Sequence, residues 1–180
     1  NFFGNASSIH TEGRKIRSFI ENARDQISTA LEVQPENIVI TSGATEGAAL
    51  LLKGRNIICA EVEHSCVAAW CEQSLEVVKE GLIKINNSSK NSVQLANSET
   101  GIVQDLPKGL YMSDIVQAVG KIDVSFSKLG VKSALISAHK FGGPQGIGAV
   151  LTEPNFDIKP QIIGGGLEKG YRSGTENLVS

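Results

Sequence analysis

Four positions carry side chains able to do chemistry where a short apolar run gives way to polar residues: Lys140, Asp114, Gln117 and His64. Lys140 stands in Ser137-Ala138-His139-Lys140-Phe141-Gly142-Gly143-Pro144, directly after the apolar run Ser133-Ala134-Leu135-Ile136. Apolar residues followed by glycines and a proline predict a buried strand that turns sharply with the lysine at its end. Partial burial there would disfavour the ammonium form, lower the pKa and free a neutral amine to form a Schiff base with an aldehyde. Taken alone, the same residues also describe a lysine on a surface turn.

A second chemistry is anion binding. Ile38-Val39-Ile40 reads as a strand, and Thr41-Ser42-Gly43-Ala44-Thr45-Glu46-Gly47 turns it into a helix carrying Ala48, Ala49, Leu50, Leu51 and Leu52. A small-residue turn between strand and helix offers free amide donors and a hydroxyl at a helix N-terminus, where a phosphate is well held. Helix starts rich in Ser, Thr and Gly are also ordinary caps. His64 follows the strand Asn56–Ala60, where an imidazole is placed either to stack on a planar ligand or to cap the next helix. Asp114 and Gln117, three residues apart after Leu110-Tyr111-Met112-Ser113, are by themselves equally a turn or a helix cap.

The elements that must position these residues follow from periodicity. Ile16, Phe19, Ile20, Ala23, Ile27, Ala30 and Leu31 recur at helical spacing with Pro35 beyond, predicting one amphipathic packing helix from about Thr11 to about Val33. A helix containing Val67, Ala68, Ala69 and Trp70 is expected after His64, with Cys66 and Cys71 in it as small buried apolar residues. Leu82-Ile83-Lys84-Ile85, Ser92-Val93-Gln94-Leu95-Ala96 and Ile147–Leu151 read as further strands, the second ending in Asn97-Ser98-Glu99-Thr100-Gly101. Alternating strands and helices define an α/β fold, in which ligands collect at the carboxyl ends of parallel strands.

Composition narrows the classes. The 180 residues suffice for one domain with a sizeable core. A formal charge of -2 gives no electrostatic reason for a nucleic acid or an anionic membrane as partner. No apolar run approaches the roughly 20 residues that span a bilayer, and no charged-then-apolar leader opens the sequence. Cys59, Cys66 and Cys71 have no metal-ligand spacing, so no metal is expected and a reducing cytoplasm fits best. An opening at Asn1 rather than Met, and an end just past a glycine-rich motif, read as a piece of a longer protein.

Several motifs in order then resemble one family: GNASSIH (4–10) with EGR (12–14), TSGATE (41–46), the EH of EVEHS (61–65), ANSETG (96–101), DIVQAVGK (114–121), SAHKFGGPQGIGA (137–149) and GGGLEKGYRSGTEN (164–177). Together they resemble the large domain of a class V aminotransferase-type, pyridoxal-phosphate-dependent cysteine desulfurase. The resemblance implies fold type I of these enzymes, a mostly parallel sheet flanked by helices, with residues 1–180 as the cofactor-binding large domain. The protein's start and its C-terminal small domain would lie outside this sequence. It implies that Lys140 holds the cofactor and moves protons, with His64 stacked on the ring as the second catalytic residue. Asp114 would pair with the ring nitrogen and Gln117 with the ring hydroxyl. The Ala44 backbone, Thr45, Ser137 and His139 would hold the phosphate, and Thr175 would reach the phosphate of a neighbouring subunit, which makes a homodimer. The implied reaction takes sulfur from L-cysteine, leaves L-alanine and passes the sulfur through a persulfide to an acceptor or iron–sulfur scaffold protein.

Three departures qualify it. None of the cysteines matches the persulfide-bearing position, which with the substrate-binding arginine would lie beyond Ser180. Ser98 stands where the family usually has a second asparagine near the cofactor. The stretches before Asn97 and Asp114 are shorter than usual. A selenocysteine lyase, another class V relative or a non-catalytic scaffold of the same fold are the rival readings.

Overall fold

Every apolar residue of β5 (Ser133–Ser137) is buried, yet the residues divide between two cores in strict alternation. Ala134 and Ile136 face one cluster and Leu135 the other. This period of two is the mark of a strand covered on both faces, and it explains why the sequence there is continuously apolar. The computed structural model describes residues 5–177, so Gly4 of the GNASSIH motif lies outside the described residues.

Strand β5 is central to a four-stranded sheet of order β1-β6-β5-β4. Strand β6 (Gly148–Thr152) runs antiparallel to both β1 (Ile38–Thr41) and β5, and β4 (Ser113–Asp114) runs parallel to β5. Strands β2 (Ile57–Ala60) and β3 (Cys71–Leu75) form a second, parallel pair. The 91–96 segment joins the two. It makes parallel bridges from Asn91 to Ile58 and from Ser92 to Met112. It also donates from Ser92 N to Ile58 O and from Leu95 N to Asp114 O, each at 2.9 Å. With this link counted, the direction of β6 is the exception, and the expected mostly parallel sheet holds.

Helix α1 (Thr11–Leu31) begins and ends as the periodicity predicts, stopping at Glu32 in a left-handed conformation before Pro35. Its buried face differs from expectation. Ile16, Ile20 and Leu31 are buried, whereas Ala23 and Ala30 are exposed and Phe19 is 52% exposed. The place on the inner face is taken by Arg24, which donates to the Ile38 carbonyl at 2.7 Å and holds Glu168 in a bidentate pair at 2.6 and 3.1 Å. Glu168 also accepts from Ile40 N at 2.6 Å, so one buried ion pair locks α1, β1 and the glycine-rich tail together.

Helix α2 (Ala44–Leu52) packs over β5 and β6. Leu50, Leu51 and Leu52 are fully buried, each contributing about 1.5–3 kcal/mol. Gly47 allows the close approach, since a Cβ there would stand 3.1 Å from Val150. The helix expected through Trp70 is cut short: α3 spans only Ser65–Ala68, and Cys71 opens β3. The chain spends the residues of a longer crossover helix on an added parallel strand, and half-buried Cys71 is thereby a strand residue. Leu82–Ile85 is likewise not a strand but one arm of a small turn, with a single bridge between Val77 and Ile83.

Candidate active site

The carboxyl ends of the parallel strands deliver their polar residues to one cavity of about 490 Å³. Its lining includes Ala44, Thr45, His64, Ser98, Asp114, Gln117, Ser137, His139 and Lys140, which are nine of the ten positions singled out from the sequence. The tenth, Thr175, is exposed in a separate hollow with Arg172 and Ser42.

Asp114 is the buried floor of the cavity, 2% exposed. It ends β4, and the parallel register sets it beside Leu135 of the strand that leads to Lys140. Its Oδ1 accepts the Val116 amide at 2.9 Å. Burial pushes its carboxyl up to about 6, with the Val116 amide and the nearby His64 pulling the other way. A carboxyl so placed is ready for a cationic partner from the cavity side, which would restore its charge.

Lys140 closes the 3-10 turn Ala138–Lys140 directly after β5. The turn is where the glycines predict it, with Gly142 at a φ of 91° and Gly143 packed against Ala138 so closely that a Cβ would sit 2.9 Å from the Ala138 Cβ. The expected burial is absent, because the turn carries the side chain past the buried end of β5 to the open rim, where Lys140 and His139 are both exposed. Lys121 donates to the Lys140 carbonyl at 3.0 Å and holds the turn from the other side.

The wall opposite is the start of α2. Gly43, at a φ of 152°, places the first turn of the helix, and no side chain caps it. Thr41 Oγ1 bonds the Gly43 carbonyl at 3.0 Å, and Glu46 accepts the Ser42 amide at 2.7 Å. The approach depends on Gly148 of β6, where a Cβ would lie 2.5 Å from the Ile136 carbonyl and 2.7 Å from the Gly43 Cα. Beside this wall the Ser137 hydroxyl and His139 Nδ1 are 3.0 Å apart. Hydroxyls, an imidazole and uncapped amides converge as they would on a phosphate.

His64 caps α3, as one of its two readings has it, and also lines the cavity. Its Nδ1 accepts the Cys66 amide at 3.2 Å, which leaves the proton of the neutral ring on Nε2. Cys66, read from the sequence as plain core, has its Sγ 3.0 Å from His64 Nδ1 and lines the cavity. Burial and the Asp114 charge push its thiol up to about 11, so it remains protonated at neutral pH. Gln94, Glu99 and Val116 also line the cavity and were not singled out. The expected strand at 92–96 pairs only through isolated bridges, but its alternation offered a signal for Gln94, a buried amide two residues before Ala96. Ser98 is exposed at the rim, its amide 3.3 Å from Gln94 Oε1, while buried Asn97 turns the chain by accepting the Glu99 and Thr100 amides at 2.9 Å.

This fold and this cavity define an α/β domain with an amine and a buried carboxyl facing one ligand space. The chain belongs to the Aminotransferase class-V family, which it matches over residues 1–177. It is 37% identical to the cysteine desulfurase IscS of Dictyoglomus turgidum, over 98% of this chain and 54% of that protein. It is 33% identical to an IscS-like cysteine desulfurase of Mycobacterium tuberculosis, over 98% of this chain and 56% of that protein. A solved NifS-like protein from Rickettsia africae superposes with a TM-score of 0.86 at 35% identity, over 97% of this chain and 57% of the other. The chain thus spans about half the length of the relatives it matches. The alignment to the Dictyoglomus protein runs over 212 positions against 180 residues here, so that protein has internal residues this chain lacks.

Proposed function

We propose that this chain is the cofactor-binding large domain of a pyridoxal-phosphate-dependent cysteine desulfurase that acts as a homodimer in the cytoplasm. It would convert L-cysteine to L-alanine and pass the sulfur, through an enzyme persulfide, to an acceptor serving iron–sulfur cluster or thio-cofactor supply. The observation that carries the reading is that Lys140 and buried Asp114 line one cavity from adjacent parallel strands, facing the uncapped start of α2. A solved relative at 28% identity and a TM-score of 0.83 is described in complex with cysteine, which supports the substrate class.

The donor set fits pyridoxal phosphate. A primary amine suits the aldehyde, a buried carboxyl suits the ring nitrogen, and hydroxyls beside helix amides suit the phosphate. When bound, the cofactor supplies an electron sink for charge developing at the substrate Cα. Thr45, Ser137, His139 and the Ala44 amide anchor the phosphate, and Gln117 donates to the ring hydroxyl. Asp114 holds a proton on the ring nitrogen, and its burial keeps that interaction out of water. His64 offers a ring face for stacking with its Nδ1 committed to the α3 cap, which orients Nε2–H. Lys140 carries a proton between positions on the substrate as general base and then general acid, an exposed rim residue with freedom to reach them. Cys59 and Cys66 are buried and Cys71 is half-buried, so the proposal assigns the persulfide to a cysteine outside these 180 residues. The second subunit's cavity is the expected destination of exposed Thr175.

The test is product formation by the segment in its natural reading frame, supplied with pyridoxal phosphate, L-cysteine and an excess of a dithiol, which reduces the persulfide and releases its outer sulfur as sulfide. Alanine and sulfide in equal amounts support the desulfurase. A yellow protein that releases no alanine from cysteine points to another class V chemistry.

A further inference from the structure

Glu63 is a buried ionisable group beside the cavity that this chemistry leaves unused. It lies one residue before His64, at the turn that follows β2, and is 6% exposed. Its Oε1 accepts the main-chain N–H of Gln94 at 2.5 Å, and its Oε2 is buried with no hydrogen-bond partner. The ionisable groups that act on it come from two sides: Asp114 of β4 and the Cys59 thiol of β2, while Cys66 of α3 feels Glu63 in turn. His64 acts on Asp114. Among the described residues neither Glu63 nor Asp114 has an ion-pair partner.

Two carboxyls share this dry space with no salt bridge to either, and the imidazole that acts on Asp114 is not among the groups acting on Glu63. A buried anion lacking a counter-charge is far costlier than a buried acid with one unpaired oxygen, and neighbouring carboxylates resist ionising together. The two sites are not equal. Asp114 opens onto the cavity and has the Val116 amide and the His64 ring to favour its charge, whereas Glu63 is sealed and has the Gln94 amide alone.

We propose that Glu63 is a positioning residue that stays a neutral carboxylic acid behind Asp114, holds the 91–96 segment through Gln94, and leaves Asp114 the one negative charge beneath the cavity. Burial, and then the Asp114 charge, raise the Glu63 carboxyl well above its usual range, in keeping with this division. Its consequence for a bound ring rests on the function proposed above: a single anion would face a single ring cation. The protonation state itself belongs to the cofactor-free chain and stands apart from that reading.

Carboxyl-carbon NMR of the cofactor-free chain tests it, with the Glu63 resonance assigned by its loss in Glu63→Gln. Across the range around pH 6 in which Asp114 ionises, the Glu63 line is expected to stay at the protonated position. A Glu63 line that ionises before Asp114 overturns the proposal. Glu63→Gln is expected to move the Asp114 midpoint by less than about half a unit, and a fall of about one unit or more means that a charge at position 63 was felt, which also overturns it. Should Glu63→Gln fail to fold, Asp114→Asn gives a second reading. Loss of the Asp114 charge must lower the Glu63 midpoint, and an unmoved line refutes the coupling. Titrating pyridoxal phosphate into the wild type separates the two claims: failure of the cofactor to bind removes the functional reading, while the Glu63 titration is still read in the free chain.

Discussion

Glu46 joins the start of α2 to the glycine-rich tail: its Oε1 accepts from Arg172 Nε at 2.9 Å while its Oε2 accepts the Ser42 amide at 2.7 Å. Both side chains are largely buried, at 15% and 11% exposed for Arg172 and Glu46, so the pair fixes the cavity wall against the segment that carries Thr175. Burial acts to raise the Glu46 carboxyl, but the Ser42 and Arg172 hydrogen bonds outweigh it and hold the group below its ordinary range. A carboxyl depressed in the folded state stabilises above its unfolded pKa and loses that contribution as pH falls through the lower folded value. Arg172→Met is therefore expected to cost about 1–3 kcal/mol in urea unfolding at neutral pH, with the gap to wild type narrowing below about pH 4. A gap independent of acid would show that Arg172 contributes packing alone.

Asp114 titrates in the opposite sense. Its folded value, about 6, lies above the unfolded value near 3.8, so the native state binds the proton more tightly. Stability of the cofactor-free chain is then expected to fall by about 3 kcal/mol between about pH 4 and about pH 6 on account of this residue. Asp114→Asn should remove that slope and leave the variant the more stable above pH 6. In the active protein it should lower turnover far more than cofactor affinity, and an unchanged rate would mean that the ring nitrogen is not its partner.

Gly148 has no chemistry of its own, yet the start of α2, the proposed phosphate site, depends on it. With a Cβ at 2.5 Å from the Ile136 carbonyl and 2.7 Å from the Gly43 Cα, neither neighbour can yield as a flexible side chain would. Gly148→Ala is expected to destabilise by about 1–3 kcal/mol and to weaken binding of pyridoxal phosphate more than binding of pyridoxal, because the displaced turn is the proposed phosphate site. Equal weakening of both ligands would place the damage elsewhere.

Much of this arrangement was legible in the sequence because strand ends and turns are local features. The Ile38–Ile40 run, the glycine turn at 41–47 and the β5 run before Lys140 each signal where a side chain leaves the sheet, and their polar residues meet in one cavity. What was hidden depends on contacts distant in sequence. Arg24 reads as a polar interruption of an apolar stripe until Glu168 arrives from 144 residues away. Lys140 was expected to be partly buried, but burial of a rim residue is set by what stands over it, which a local apolar run does not encode. Glu63 and Cys66 lie within two residues of His64, but the Gln94 amide that Glu63 accepts and the cavity that Cys66 lines are formed by segments distant in sequence.

The central claim is that Lys140 holds the cofactor. The direct measurement is to load the purified protein with pyridoxal phosphate, reduce it with borohydride, digest it and locate the pyridoxyl group by mass spectrometry, with Lys140→Ala alongside. The account predicts a label on Lys140 in the wild type and none in the variant. A label on another lysine, or a Lys140→Ala protein that is still reducibly labelled, would contradict it.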